Sequence, residues 1–391
     1  MDFTIENVCG FLIRSKLMTA EEMKNMYQRW LAEAKENASQ LTAFLKWLVL
    51  NDFVTEYQAG LLSKGHSDPG DYFLNQYKIL DRLGRGRMAG VYKASHTLGQ
   101  VVAIKVLPPS KSKNAQYLAR FQREAELGLQ LKHPNVVRTF QIGEARGLHF
   151  LVMEYLEGET LDDVLSRRKR LPPHEAIRLA HQALTGLQHI HERGMVHRDL
   201  KPANLMLVPP PPKGDDTTLH ATVKVLDIGL GRMALEDSAD GGGELTSEGM
   251  LLGTPDYLAP EQARDARSID IRADIYSLGC VLYHCLTGQP PFPDKNLLNQ
   301  LVRHATETAR PVKDFNPQIP DGVQQVLNYM MAKQADQRYP TPERAAQSLQ
   351  VFLLADAAVA KPAEETVDMS RFLGSVAKPA PAAPARPVPA P

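Results

Sequence analysis

Cysteine is scarce in this chain: Cys9, Cys280 and Cys285 are its three cysteines among 391 residues. No two of them form a CxxC pair, which argues against a disulfide framework and against a cysteine-based zinc site. Isolated cysteines of this kind fit a reducing compartment. We therefore expect a cytoplasmic protein.

Long apolar runs and an excess of one charge are also missing. No window approaches the roughly 18 uninterrupted apolar residues that a membrane span requires. The first residues, MDFTIENVCG, lack the basic segment, apolar run and cleavage site of a secretory signal. The 45 basic residues balance the 45 acidic ones, so the charge does not suggest binding to nucleic acid or to a membrane surface. We expect neither a membrane span nor a nucleic-acid partner.

The chain is longer than one ordinary domain usually needs, and its apolar fraction of 43% allows a sizeable core. Amphipathic helical patterns fill residues 1–64, which we predict to be a helical accessory domain. The stretch GHSDPGD breaks the pattern, and residues 65–76 are predicted as a linker. From Tyr77 the chain becomes rich in β-type runs and then in helical periods. Residues 357–391 are rich in Ala and Pro and are predicted as a flexible tail.

The accessory domain shows two helix starts. Thr19–Glu22 has the form of a capping box, and Met26 and Trp30 then fall on one face. The pair Thr55 and Gln58 marks a second start. The domain could dock onto the small β-rich lobe that follows, dimerise or select substrates, and its residues favour none of these.

A glycine-rich stretch, LGRGRMAGVYKA at 83–94, suggests a loop that covers nucleotide phosphates. Gly84 and Gly86 have the spacing of such loops, although Ala89 occupies the third glycine position and Gly90 comes one place late. The stretch lies between two strand-like runs. A dinucleotide-binding fingerprint would instead lie between a strand and a helix. The sequence therefore predicts a strand–loop–strand unit whose loop backbone folds over phosphates, or else a tight turn.

Two charged side chains follow the glycines. Alternation in the strand-like run 101–107 places Ala103 and Lys105 on one face, where a flat ring can pack on Ala103 beside the lysine cation. In the helical stretch 115–131, Glu124 falls on the apolar face, where a carboxylate needs a cation. Lys105 is the nearest candidate. An ordinary exposed lysine and a glutamate at the edge of the apolar stripe are the alternatives.

A cluster of polar residues follows in MVHRDLKPANLM at 195–206. Asp199 can accept a proton from a hydroxyl nucleophile, Lys201 can stabilise a phosphoryl group, and Asn204 can offer an oxygen to a hard cation. Asp227, at the end of a later strand, offers another oxygen. Magnesium takes a few protein oxygens together with substrate phosphates. The cluster therefore predicts phosphoryl transfer.

Taken in order, these motifs resemble those of the bacterial eukaryotic-like serine/threonine protein kinases. The match covers about 77–354 and includes the glycine-rich loop, the VAIK strand, the HRDLKPxN loop, a DFG-like triplet and the APE triplet at 259–261. The resemblance implies an α+β, bilobal protein-kinase fold. A small β-rich N-lobe would span 77–154 and a helical C-lobe 158–356. The all-α accessory domain would precede this kinase domain.

The resemblance also implies a function, namely transfer of the γ-phosphoryl group of MgATP to Ser and Thr hydroxyls of protein substrates. Mn²⁺ is an alternative to Mg²⁺. The implied catalytic residues are Asp199, Lys201, Lys105 and Glu124, with Lys105 paired to Glu124, and Asn204 and Asp227 would bind the metal. The implied nucleotide-binding residues are Leu83, Gly84, Arg85, Gly86, Val91, Ala103, Lys105, Met153, Glu154, Leu156 and Met206.

Further family roles map onto single residues. Asp274 would brace the catalytic loop, which is the HRDLKPxN loop at 197–204, from a buried helix, and Arg338 would pair with Glu261. Lys201 and Thr254 match the pattern of Ser/Thr kinases rather than Tyr kinases.

Regulation is implied as well. Arg198 precedes the catalytic aspartate, an arrangement that in the family often pairs with a phosphorylated residue, and Thr246 and Ser247 are the candidates for autophosphorylation.

Two departures from the family pattern motivate an alternative. Ala89 replaces a loop glycine, and Ile228 replaces the phenylalanine of the DFG triplet. Neither change removes a group that handles phosphate, metal or protons. The alternative is a pseudokinase that acts as a nucleotide-binding scaffold. A small-molecule kinase is a second alternative, which the long activation segment disfavours.

Overall fold

The structure is a computed structural model that describes residues 4–85, 90–209, 217–228, 255–264 and 269–359. The described residues divide into two compact units. The first runs to Leu129 and includes Arg138–Tyr155, whereas the second comprises Gln130–Val137 and the residues from Leu156 onward. The N-terminal helices and the β-rich segment therefore belong to one unit.

The first unit begins with short helices. They are α1 (Ile5–Arg14), α2 (Ala20–Ala34), α3 (Leu41–Leu50), α4 (Glu56–Leu62) and α5 (Pro69–Tyr72). Thr19 and Thr55 form capping boxes at the starts of α2 and α4, which confirms both predicted helix starts. Met26 and Trp30, placed on one face by the sequence, are buried in a common core with Phe44.

The segment predicted as a linker contains regular structure. It forms α5 and the strand β1 (Phe73–Leu74), which pairs with the following strand. The Asp68 side chain accepts a hydrogen bond from the backbone N–H of Gly70 and so caps α5. The Tyr72 ring is fully buried. Elements this short leave no periodic pattern in the sequence, so they were not predicted. The predicted domain boundaries stay predictions.

The β-rich segment forms an antiparallel sheet in the first unit. Its other strands are β2 (Tyr77–Arg85), β3 (Gly90–His96), β4 (Val101–Val106), β5 (Thr139–Ala145) and β6 (Leu148–Glu154), in the order β1-β2-β3-β4-β6-β5. One face of the sheet is packed by buried residues that include Ile104, Phe150 and Val152. The helices α6 (Pro109–Ser112) and α7 (Ala115–Gln130) connect β4 to β5. This architecture confirms the predicted small β-rich lobe.

The second unit is mainly helical, as predicted. Its helices are α8 (Leu161–Arg168), α9 (Pro173–His191), α10 (Pro260–Arg264), α11 (Arg272–Thr287), α12 (Leu297–Thr306), α13 (Asp321–Met330) and α14 (Pro342–Val359). A small antiparallel sheet joins β7 (Glu159–Thr160), β8 (Leu205–Val208) and β9 (Thr222–Val225). Helix α11 is buried along most of its length and packs against α9 and α13. It is the central helix of this unit.

The structure bears on two expectations from the sequence, the absence of a membrane span and the absence of disulfides, within the described residues. No described helix combines the length and the apolar character needed to cross a membrane. All three cysteines are free and buried. Burial raises the pKa of both the Cys280 and the Cys285 thiol to about 12, so neither is a reactive thiolate at neutral pH.

Two histidines of the second unit, the buried His304 and the partly buried His284, have lowered pKa values. The His304 ring is 1% exposed, and its Nδ1 lies 2.9 Å from the Tyr276 hydroxyl. Its Nε2 has no hydrogen-bond partner among the described residues. Burial lowers the pKa of His304 to about 3, and Lys333 nearby acts in the same direction. Burial also lowers the pKa of His284, whose Nδ1 lies 2.8 Å from the Tyr257 hydroxyl, to about 4.

We expect the free energy of unfolding to fall as the pH drops below about 6.5. There the unfolded chain protonates both imidazoles, whereas the folded chain does not until about pH 3 to 4. Each histidine should contribute a slope of about 1.4 kcal/mol per pH unit. In urea unfolding between pH 7 and 5, the free energy of unfolding should depend less steeply on pH in the His304→Gln variant than in the wild type. The difference should be the slope that one histidine contributes. The exposed His220 provides the control, His220→Gln. Equal slopes in the wild type and the His304 variant would contradict this expectation.

Candidate active site

The face of the sheet opposite the packed core carries four of the predicted nucleotide-binding residues. In the ladder, Lys105 is directly opposite Val91, and Ala103 is opposite Met153. Directly opposed residues project to the same face, as do residues two apart in one strand. These four side chains therefore share a face, which confirms the predicted placement of Ala103 beside Lys105.

Lys105 is not an ordinary exposed strand lysine. The residue is 5% exposed, and its neighbours across the ladder are Val91 and Leu151. A buried ammonium group requires compensating polar contacts. Its predicted partner, Glu124, belongs to α7, but the Glu124 side chain lies outside the described residues. The predicted pair stays a prediction.

The end of β6 is fixed by Glu154. Its backbone N–H donates to the carbonyl of Arg138 at 2.9 Å, and its Oε1 accepts from the Arg138 N–H at 2.7 Å. Next to it, the Tyr155 ring lies 4.3 Å from the Lys93 ammonium group. This cation–π contact was not predicted, because the two residues are far apart in the chain.

The catalytic-loop backbone is held by Asp274 of α11. Its carboxylate accepts hydrogen bonds from the N–H groups of His197 at 2.7 Å and Arg198 at 2.8 Å. Asp274 is fully buried; burial raises the pKa of its carboxyl group, and His197 and the two backbone donors oppose this shift. Arg198 has φ of +69°, a left-handed conformation that a non-glycine residue adopts only when its surroundings hold it there. The predicted bracing role of Asp274 is thus seen in these contacts.

Asp199, Lys201 and Asn204 come together as the sequence predicted. The Lys201 ammonium group donates to Asp199 Oδ2 at 2.8 Å. Asn204 Nδ2 donates to the Asp199 carbonyl at 2.6 Å and to Oδ2 at 3.2 Å. The Asp199 side chain remains 39% exposed. The carboxylate is therefore oriented by two neighbours and is still accessible to a substrate hydroxyl.

The two predicted metal ligands lie on adjacent segments of the second unit. The N–H of Leu226, next to Asp227, donates to the Asn204 carbonyl at 2.9 Å. Nδ2 of Asn204 is engaged with Asp199, so the amide oxygen is the atom of this side chain that can serve as a cation ligand. Asp227 has φ of +54°, a constrained conformation that sets the direction of its carboxylate. Amide and carboxylate oxygens of this kind suit a hard divalent cation that also binds phosphates.

Arg338 and Glu261 form the predicted ion pair. The guanidinium group donates to both carboxylate oxygens, at 2.6 and 2.8 Å, and also to the Arg272 carbonyl at 2.9 Å. The Arg338 side chain is 0% exposed. This bidentate pair links α10 to the segment before α14.

Sequence reasoning missed Gln262. Its Nε2 donates to the Arg198 carbonyl at 2.8 Å, and its Oε1 accepts from the Ala259 N–H at 3.0 Å. The glutamine therefore joins the APE segment to the catalytic loop. Its only signal in the sequence is its place directly after Glu261.

Several predicted residues lie outside the described part of the chain. These are Gly86, Ala89, Thr246, Ser247 and Thr254, together with the side chain of Arg85. Of the other predicted nucleotide-binding residues, Leu83 is 45% exposed in β2, Gly84 is opposite Val91, Met206 is in β8, and Leu156 is the first residue of the second unit after β6.

We expect the Asp274→Asn variant to be less stable and less active than the wild type. One of its two acceptor oxygens becomes an NH₂ group that faces a backbone N–H, because His197 and Arg198 each donate to one oxygen. The cost should be about 1–3 kcal/mol of unfolding free energy, measured by urea unfolding. The exposed Asp162 gives the control, Asp162→Asn. If Asp274→Asn unfolded at the same urea midpoint as the wild type, the bracing role of Asp274 would be contradicted.

The comparisons with known proteins agree with this geometry. A family model described as "Protein kinase domain" matches residues 77–350. The chain is 33% identical over 307 residues to the probable serine/threonine-protein kinase PknB of Bifidobacterium longum, covering 76% of this chain and 42% of that protein. It is 36% identical to the serine/threonine-protein kinase PknB of Mycobacterium leprae, covering 68% and 41%. The chain thus spans about two fifths of the length of these relatives.

A solved structure shows the same fold. The crystal structure of the Mycobacterium tuberculosis PknI kinase domain matches with a TM-score of 0.53 and 24% identity, covering 71% of this chain and 97% of that one. The predicted bilobal fold, with helices preceding it, is confirmed, as is the resemblance to the bacterial serine/threonine kinases. The chain belongs to the protein kinase domain family, whose members use ATP and a divalent metal.

Proposed function

We propose that this chain is a serine/threonine protein kinase that transfers the γ-phosphoryl group of MgATP to Ser and Thr hydroxyls of proteins. The observation that carries the proposal is the catalytic loop. There, Lys201 and Asn204 orient the accessible carboxylate of Asp199 on a backbone that Asp274 holds. The relatives' names, serine/threonine-protein kinases, support the same activity.

In this mechanism Asp199 orients the substrate hydroxyl and accepts its proton, while Lys201 stabilises the phosphoryl group in transit. Asn204 and Asp227 would hold the divalent metal, which when bound neutralises phosphate charge. Lys201, Asn204 and Asp227 form no covalent bond with the substrate in this mechanism. Most of the rate comes from positioning and charge stabilisation.

The nucleotide is assigned to the residues predicted for it from the sequence. In the first unit, Leu83 to Gly86 and Val91 would cover it. Val91 and Ala103 would pack against the ring, Met153 would lie at the rear of the pocket, and Lys105, paired with Glu124, would hold the α- and β-phosphates. Glu154, Leu156 and Met206 complete the set. The support is the common face of Val91, Ala103, Lys105 and Met153 and the burial of Lys105.

We keep the remaining predictions as parts of the same proposal. The kinase domain is assigned to 77–356 and the helical accessory domain to 1–64, for which a protein partner is proposed. The three free, buried cysteines support a reducing, cytoplasmic location.

The pseudokinase alternative is disfavoured because the residues predicted to handle phosphate, metal and protons are all present.

Phosphoryl transfer from labelled MgATP to the protein itself and to a generic basic protein tests the proposal. We expect label on Ser and Thr that disappears in Asp199→Asn. Phosphopeptide mapping would then show whether Thr246 or Ser247 carries it. If neither the wild type nor the variant transfers label while both still bind nucleotide, the scaffold alternative replaces the kinase assignment.

A further inference from the structure

The helix α4 of the N-terminal segment makes buried contacts with β2, the strand that leads to the glycine-rich stretch. The amide Nε2 of Gln58 donates to the Ile79 carbonyl at 2.7 Å, and the Gln58 residue is 1% exposed. The Thr55 hydroxyl donates to the carbonyl of Leu80. Two successive backbone carbonyls of β2 are therefore satisfied by side chains from outside the sheet.

These contacts fall on an irregularity in the strand. Ile79 is opposite Ala94 and Asp81 is opposite Lys93, so Leu80 between them has no partner in the β2–β3 ladder. Such a bulge bends its strand and increases the local twist. It also leaves a carbonyl that needs a hydrogen-bond donor. Thr55 supplies that donor, so the bulge and α4 stabilise each other.

The Thr55 side chain has two roles at once. Its Oγ1 accepts from the N–H of Gln58 and so caps α4, while its hydroxyl hydrogen is directed to Leu80. The Gln58 Oε1 accepts in turn from the Thr55 N–H at 3.1 Å. The direction of the first turn of α4 is thus tied to the position of β2.

An aromatic contact extends this coupling to β3. The Tyr57 ring of α4 meets the Tyr92 ring edge-on, with centroids 6.3 Å apart. The Tyr92 ring lies against Gly90, where a Cβ atom would come within 2.8 Å of it. The Arg82 guanidinium group lies 5.8 Å from the same ring. Tyr92 therefore contacts α4, the first residue of β3 and a residue near the end of β2.

We propose that α4 positions the nucleotide-binding end of the sheet, with Thr55, Tyr57 and Gln58 as its positioning residues. By holding the bulge of β2 and the ring of Tyr92, the helix sets the course of the strands that carry Leu83, Gly84 and Val91. The inference deepens the proposed function because it concerns the same nucleotide site. It gives the N-terminal helices a role in nucleotide affinity.

Nucleotide affinity in the full-length chain tests this role. We would measure the Kd of MgADP by fluorescence titration in Gln58→Met and Thr55→Val, and the hydrogen exchange of the β2 amides at 79–85. Loss of the donor to a buried carbonyl should raise the Kd about fivefold. Exchange at 79–85 should become faster in parallel. Thr55→Ser keeps the hydroxyl and should restore the wild-type Kd.

A matched control separates positioning from general stability. Thr4 forms the same capping box at α1, and within the described residues its side-chain hydrogen bonds stay in the first turn of that helix. Thr4→Val should therefore keep the wild-type Kd, even though it loses a cap. The inference is overturned if Gln58→Met and Thr55→Val, still folded by thermal unfolding, bind MgADP as the wild type does. It is likewise overturned if Thr4→Val weakens binding equally. Neither outcome depends on phosphoryl transfer, because only MgADP affinity and hydrogen exchange are measured. Failure of the kinase assignment can therefore be distinguished from failure of this inference.

Discussion

The Asp199→Asn variant is expected to transfer phosphate about a thousandfold more slowly than the wild type, because it lacks the group proposed to take the substrate proton. The substitution keeps the shape of the side chain. It removes the negative charge to which Lys201 donates at 2.8 Å. An amide cannot accept the hydroxyl proton, and the lysine also loses its charged partner.

Nucleotide binding should distinguish this effect from unfolding. Asp199 is assigned to the substrate hydroxyl rather than to the nucleotide, so the Kd of MgADP should stay within about twofold of the wild type, less than the effect of one lost hydrogen bond. The measurement is the initial rate of transfer to a generic basic protein, beside the control Asp162→Asn. Equal rates in Asp199→Asn and the wild type would remove the proposed role of Asp199.

Much of this site could be predicted from the sequence because its chemistry is local. Asp199, Lys201 and Asn204 lie within six residues of chain, and the structure joins them by hydrogen bonds. Strand alternation likewise placed Ala103 beside Lys105. A two-residue period in a half-buried strand determines which side chains share a face, and no tertiary information is needed.

The contacts that were missed connect distant parts of the chain. Thr55 and Gln58 were identified as a helix start, and they are one. Their bonds to Leu80 and Ile79 were not predicted, because neither a bulge nor the docking of a helix onto it leaves a local signature. Gln262 was missed for the same reason, since its partner Arg198 lies 64 positions away. Local patterns predict elements and clusters, whereas docking between elements depends on the folded backbone.

The Arg338→Ala variant is expected to lose about 3–5 kcal/mol of unfolding free energy, because breaking a buried pair leaves an uncompensated charge. Arg338 is 0% exposed and its partner Glu261 is 23% exposed. The substitution also removes the donors to the Arg272 and Ala332 carbonyls. Since α10 begins within the APE triplet and Gln262 of this helix contacts the catalytic loop, phosphoryl transfer should fall together with stability.

Thermal and urea unfolding measure this loss, and a shift of Tm of about 10 °C is expected for a domain of this size. The exposed Arg344, whose Nη1 bonds to Gln347 on the same helix, gives the matched control Arg344→Ala. Arg338→Lys should recover only part of the stability, because an ammonium group cannot form the two parallel bonds to Glu261. In the double variant Arg338→Ala with Glu261→Ala, the loss should be smaller than the sum of the single losses, since no charge is then left unpaired. Additive losses would show that the two residues stabilise the fold independently and that the pair does not hold α10 in place.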